Sequence, residues 1–280
     1  MDYSHYSMSD WLSLRPLKFQ LKEFRNDLCC SVYTRRKYIS VNKYAAELLR
    51  NNSGRIDSIY LTISFEVPDV IEMQIKSLKK NDPDPLYIVA DNSRSLSRAS
   101  KIAAICDKYK VPYFKLPKNR AIYSRSHSYA LQWSYENIIK VLQPKRFGFL
   151  DHDVFLTKKL SPFTTMQEQN FIAYGNLRKS EWSFHPAWYL WAGFCFYEYD
   201  KVYDKNLYFM YDVGSGCDTG GRNYYRLYKN RKKEVGFCAF DAQQQDFDLL
   251  ADSWLHYRGA SYLGLSEGKS NKILADLGDD

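Results

Sequence analysis

The 280-residue chain contains no run of about 18 uncharged apolar residues, so no part of it reads as a transmembrane helix. Residues 1–10 carry acids and hydroxyls with no apolar stretch behind a basic cluster, which excludes a secretory signal there. The six cysteines (29, 30, 106, 195, 217 and 238) form no CxxC pair. Neither a disulfide framework nor a zinc site is therefore expected, and the thiols read as reduced and mostly buried, as in a cytoplasmic protein. There is no internal repeat and no low-complexity tract. Disorder is excluded as well, because 45% hydrophobic and 16% aromatic residues are enough to offset the entropy of ordering. The formal charge of +8 would suit nucleic acid, an anionic membrane or a phosphorylated small molecule. No RNP aromatics and no zinc spacing support nucleic acid, so that partner is not expected.

What is present is an alternation of strands and helices. Residues 1–55 read as a basic, mainly helical extension (Arg35, Arg36, Lys37 and Lys43 precede residues 45–50) closed by the turn-forming cluster Asn51-Asn52-Ser53-Gly54. The extension is expected to pack on the main domain. A basic surface in peripheral contact with anionic lipid is the functional alternative. From residue 56 the β-branched run 58–65 predicts a strand, and the stripe Val70, Ile71, Ile75 and Leu78 predicts a helix over 69–80. The apolar run 86–90 suits a strand buried on both faces. A helix over about 97–109, a strand over 111–116 weakened by Pro112, a helix over 126–142 and a strand over 146–150 follow. Four alternations predict a three-layer α/β/α unit with a mainly parallel central sheet. Residues 56–160 form its first half and 161–265 a second, aromatic-rich half. The latter includes a glycine-rich loop (Gly214, Gly216, Gly220, Gly221) and a basic helix from Arg222 to Lys233, and a polar tail occupies 266–280.

Chemistry concentrates where strands end. The strand at 146–150 runs into Asp151-His152-Asp153, and ligands of open parallel sheets bind at the carboxyl edge. In extended backbone, Asp151 and Asp153 would face the same way and repel unless a hard cation such as Mg²⁺ or Mn²⁺ sat between them. Asp91 ends another strand and reads either as an acceptor for a base or ribose or, with Asn92 and Ser93, as a helix N-cap. His256 is a further candidate ligand for the ion. Tyr208-Phe209-Met210-Tyr211-Asp212-Val213-Gly214-Ser215-Gly216 offers a different reading: an S-adenosylmethionine-dependent methyltransferase, with a strand leading into a glycine-rich loop at 212–216.

The succession of Asp91-Asn92-Ser93, Leu116-Pro117-Lys118-Asn119, Ser126-His127-Ser128-Tyr129-Ala130-Leu131 and Phe149-Leu150-Asp151-His152-Asp153 resembles family 2 glycosyltransferases of the GT-A fold over residues 56–160. The resemblance implies transfer of a sugar from a nucleotide-diphospho-sugar donor to a glycan or glycolipid hydroxyl, with inversion. Carried over by position, Ser64, Asp91, Asn119, His127 and Asp151 are implied for the nucleotide-sugar, and Asp151, Asp153 and His256 for the metal. Inverting members carry a catalytic carboxylate in the second half, often in a Glu-Asp pair, which this sequence lacks. Asp218, in the glycine-rich loop, is the substitute, with Asp241, Asp212 and Glu198 as rivals. Trp182, Trp188 and Trp191 are candidates for stacking an acceptor sugar, one or two of them at the site and the rest buried. His185 reads as a loop residue.

Overall fold

The computed structural model describes residues 4–50, 55–182, 185–241 and 247–257. Their helices are α1 (Met8–Leu12), α2 (Arg15–Thr34), α3 (Lys43–Arg50), α4 (Pro68–Asn81), α5 (Leu96–Lys108), α6 (Tyr123–Ser134), α7 (Lys140–Leu142), α8 (Pro162–Gln169) and α9 (Tyr199–Val202). The strands are β1 (Ser40–Val41), β2 (Ser58–Ser64), β3 (Leu86–Asp91), β4 (Tyr113–Lys115), β5 (Arg146–Asp151), β6 (Val154–Leu156), β7 (Ala173–Lys179), β8 (Trp188–Glu198), β9 (Val235–Phe237), β10 (Phe240–Asp241), β11 (Phe247–Leu250) and β12 (Trp254–Tyr257). A wide π turn, Tyr135–Ile139, joins α6 to α7, so the helix predicted over 126–142 is one interrupted rod.

Eight strands form the central sheet in the order β1-β4-β3-β2-β5-β8-β7-β9. The block β4-β3-β2-β5 is parallel throughout, and β8 then runs antiparallel to both β5 and β7. A four-stranded antiparallel sheet, β10-β11-β12-β6, lies beside it. The α/β architecture with a parallel central block is the one the strand–helix alternation predicts. Because β8 pairs with β5, residues on either side of position 160 share one sheet.

Alternation along the strands divides the core into two layers. Ile59, Leu61, Ile63, Ile88, Ala90, Phe147 and Phe149 pack in one cluster with Tyr129, Trp133 and Ile138 of the α6 rod. Tyr60, Tyr87, Val89, Leu150, Phe194 and Phe196 pack in the other with Ile71, Ile75 and Leu78 of α4 and Ile102 and Cys106 of α5. All seven residues of β2 are buried, its apolar Ile59, Leu61 and Ile63 on one face and Tyr60 on the other, with Ser58, Thr62 and Ser64 buried among them. All six cysteines are free thiols. No helix among the described residues is long and apolar enough to cross a membrane.

The second half departs from two expectations. The basic helix predicted from Arg222 to Lys233 is instead a π turn at Tyr224–Tyr228 and a short 3₁₀ turn at Lys232–Glu234. There the Lys229 N–H donates to the Tyr224 carbonyl five residues back, the wide pairing of a π turn rather than of an α-helix. Residues 207–210 form no strand either. The Tyr208 N–H donates to Asn223 Oδ1 (2.7 Å) and the Phe209 N–H to Gln132 Oε1 (2.8 Å), so side chains satisfy the backbone that a neighbouring strand would otherwise serve. The tail at 266–280 lies outside the described residues.

Candidate active site

The carboxyl ends of the parallel strands are in register. Ser64 pairs with Asp91 and Ile63 with Asp151, which places the three predicted positions on one rim of the sheet. They behave differently there. Asp91 is fully buried, and its carboxylate is already engaged by Tyr113 Oη (2.7 Å), Lys115 Nζ (3.2 Å), the Ser93 N–H (2.8 Å) and Ser64 Oγ (3.3 Å). It braces the rim from below. Nor is it a helix cap, since Ser95 Oγ caps α5 by accepting from the Arg98 N–H. Asn119 is likewise committed to its own loop, donating to the Ser126 carbonyl and accepting from the Ala121 N–H.

Asp151 keeps contact with solvent and with ionisable neighbours. Its Oδ1 lies 3.4 Å from His127 Nε2 on α6. Burial first, and the like charge of Asp153 second, push its carboxyl up to about 7; Asp218 contributes in the same direction. Burial lowers the His127 imidazole below its ordinary value, against the opposing pull of Asp218 and Asp153. His127, Asp151, Asp153 and Asp218 thus lie within electrostatic reach of one another, although 91 residues separate the first from the last. Asp218 is exposed and is delivered by the glycine-rich loop: Asp212 and Cys217 bridge its neck, and Gly216 (φ +63°) and Gly220 (φ +90°) turn on either side of the acid.

The remaining metal expectation needs correction. Residues 152–153 form a turn between β5 and β6, so the rule that i and i+2 share a face in a strand does not govern Asp151 and Asp153. Asp153 instead faces His256 of β12, with 3.8 Å between Oδ1 and Nε2, and the other His256 nitrogen is 3.2 Å from Asp248 Oδ2. No group of three or more His, Cys, Asp or Glu among the described residues is arranged to hold a metal ion. Asp151, Asp153 and His256 therefore do not close into the expected three-ligand set. The pair Asp151 and Asp153, close enough to raise one carboxyl's pKa, retains the chemistry of a site completed by oxygens from a ligand.

Two scaffold residues escaped sequence reasoning. Gln74, fully buried on α4, donates through Nε2 to the carbonyls of Asp151 (2.7 Å) and Val154 (2.8 Å) and accepts from Thr62 and Tyr87 through Oε1. It clamps both ends of the acidic turn, while His152 Nδ1 donates to the Ile63 carbonyl (3.0 Å). The available signal was a polar residue on the apolar stripe of a helix. Gly193 of β8 is the other: a Cβ there would stand 2.6 Å from Asp151 Oδ2 and 2.4 Å from the Trp191 ring. A glycine inside a strand advertises such a close approach.

The tryptophans separate. Trp188 is half-buried against the core, stacked on Tyr228 (5.1 Å) and edge-on to Phe237. Trp191 packs on His256 at 4.6 Å, with the Arg178 guanidinium 5.7 Å from its ring centre. Trp182 stacks on Phe19 and lines a cavity of about 500 Å³ with Asp218, Asp212, Arg125, Tyr123 and Lys22. Among the rivals for the base, Glu198 pairs in register with Arg146 at the other end of β5, about 17 Å from Asp151 at strand spacing. Asp212 is buried and accepts from the Ser215 N–H, and Asp241 ends the edge strand β10. The loop at 212–216 does not follow a strand, and its Gly214 backbone is taken by Tyr6 and Glu23, which removes the cofactor cradle of the methyltransferase reading. His185, buried, accepts from the Ala187 N–H.

No protein-family model and no curated protein sequence matches the chain. Among solved structures it is similar to the mannosyltransferase PcManGT from Pyrobaculum calidifontis in complex with GDP-Man and Mn²⁺ (10% identity, TM-score 0.41), covering 72% of this chain and 60% of that one. It is also similar to S. aureus TarS 1–349 (13%, TM-score 0.46, 79% and 70% covered) and to the S. cerevisiae mannosyltransferase Ktr4p (10%, TM-score 0.46, 85% and 80%). This chain thus spans less than two thirds of the length of PcManGT. At TM-scores below 0.5 these are likenesses in outline, and the functional reading rests on the geometry of the rim.

Proposed function

We propose that the protein is an inverting glycosyltransferase of the GT-A type, moving a sugar from a nucleotide-diphospho-sugar to a hydroxyl of a glycan or glycolipid in a reducing, cytoplasmic compartment. One observation carries the reading: Asp218, Asp151, Asp153 and His127, from three separate segments, meet at the carboxyl edge of the parallel block beside a cavity walled by Trp182. A donor diphosphate belongs at Asp151 and Asp153. A divalent ion, Mg²⁺ or Mn²⁺, held by those two carboxylates together with the diphosphate would neutralise charge on the leaving group.

The chain's own residues perform the rest. His127, its imidazole held below its ordinary value by burial and 3.4 Å from Asp151, offers the donor a hydrogen bond beside that acid. Trp182, its ring held against Phe19 and Arg15, walls the cavity that would take the acceptor sugar, and Asp218 on the same wall accepts the proton of the attacking hydroxyl. The hydroxyl oxygen forms its bond to the anomeric carbon as the bond to the diphosphate breaks, on the opposite face. Asp218 is exposed on its loop, so an acceptor hydroxyl can approach it.

The deciding experiment is a thermal-shift panel of UDP, GDP, dTDP and S-adenosylmethionine, each with Mn²⁺ and with EDTA. A stabilisation by one nucleoside diphosphate that needs Mn²⁺ and disappears in Asp153→Ala is the expected result. Stabilisation by S-adenosylmethionine, or by none of the diphosphates, would overturn the assignment.

A further inference from the structure

Helix α2 is apolar on two sides. On the side that meets the protein, Cys30 and Tyr33 join the core and Phe19 stacks on Trp182, while polar contacts lie among them: Asn26 Nδ2 donates to Tyr211 Oη (2.7 Å), Glu23 accepts from the Gly214 N–H (3.0 Å), and Asp27 pairs with Arg222 (2.8 Å) and Tyr208 (3.0 Å). A second set of apolar residues points outward. Leu14, Leu17, Leu21, Phe24, Leu28 and Val32, spaced by three and four, form one stripe along the exposed face; Leu21 and Phe24 are each 70% exposed and Leu28 57%. Met8 and Leu12 of α1 extend it, and the exposed Ile122 and Tyr123 stand across the cavity that Lys22 lines.

One flank of the stripe is cationic. Lys18, Lys22, Arg25 and Arg36 run along it, and beneath Arg25 and Arg36 opens a cleft of about 760 Å³ whose wall also carries Lys118, Arg120 and Arg125. None of the described residues lining that cleft is acidic. The charge chooses the occupant. An antiparallel pairing of two copies across this face would set one basic row against the other, whereas anionic lipid headgroups complement it.

We propose that α2 lies in the interfacial plane of an anionic bilayer, its apolar stripe among the acyl chains and the basic cleft on headgroup phosphates. Resting on the transferase reading, the same geometry lets a lipid-anchored acceptor enter the Trp182 cavity, which Lys22 of this helix borders, without leaving the bilayer.

The test is flotation of the full chain with vesicles of phosphatidylcholine alone or with about 30% phosphatidylglycerol, at low and high salt. Binding is expected only with the anionic vesicles, weakened by salt. It should fall at least about tenfold in Leu21→Glu/Phe24→Glu and about fivefold for each cation reversed in Arg36→Glu and Arg120→Glu. All these positions lie outside the Asp151 rim, so nucleoside diphosphate binding should be unchanged. That independent readout separates failure of the docking surface from failure of the transferase reading. The proposal is overturned if the parent protein does not float with anionic vesicles, or if the Leu21/Phe24 variant floats as well as the parent. It is equally overturned if the parent sediments as a dimer that Phe24→Glu dissociates, which would make the stripe a contact between copies.

Discussion

Asp151→Asn should make the protein more stable while abolishing transfer. The carboxyl of Asp151 is raised from an ordinary 3.8 to about 7, chiefly by burial and then by the charge of Asp153. A carboxyl with a folded pKa above its unfolded one favours the fold below the unfolded value. It loses that advantage as pH rises through the folded pKa, because the native state then has to hold a charge it disfavours. At about 1.4 kcal/mol per pH unit the elevation sets a ceiling of about 4 kcal/mol. The side chain is 23% exposed, and water screens part of that penalty, so about 2 kcal/mol is a fair expectation. Asparagine keeps the shape and removes the charge. For a chain of this size the gain corresponds to a rise in Tm on the order of 5 °C. Differential scanning fluorimetry in EDTA from pH 4 to 9 reads it directly. The advantage of the variant should be near zero at pH 4, grow towards pH 7 and then level off. A pH-independent difference, or a variant less stable than the parent at pH 8, would refute the claim that burial and the neighbouring Asp153 penalise a charge on Asp151.

Three further substitutions probe the same architecture. Asp218→Asn should leave nucleotide binding intact and slow transfer by roughly a hundredfold or more, the scale expected for a general base; a variant within threefold of the parent in a donor-consumption assay would move the base elsewhere. Gly193→Ala should reduce kcat at least about tenfold with little loss of stability, since its methyl would displace the Asp151 carboxylate and the Trp191 ring; unchanged kinetics would show that neither needs its present position. Gln74→Leu strips the donors from the carbonyls of Asp151 and Val154 and leaves Thr62 and Tyr87 without their acceptor. It should cost about 2–4 kcal/mol in urea unfolding, and a loss under about 0.5 kcal/mol would mean that the clamp is not needed.

Local patterns were enough for the scaffold, because the signals are local. The apolar run at 86–90 and the aromatic-rich segment 146–150 suit strands covered on both faces, and the stripe through Val70 and Leu78 suits a helix against them. The acids that end those strands could be placed on the rim for the same reason. Tertiary structure decided what each acid does there. Asp91 and Asp151 look alike in sequence, yet Tyr113 and Lys115 enclose the first, while Gly193 and the turn at 152–153 leave the second open beside His127. Whether Asp218 reaches Asp151 depends on two left-handed glycines, and which side of α2 is buried depends on Arg222 and Tyr211 nearly two hundred residues away. Periodicity reports how a segment meets its surroundings on average, not which distant side chain occupies them, and charge, burial and chemistry at the rim are set by those distant side chains.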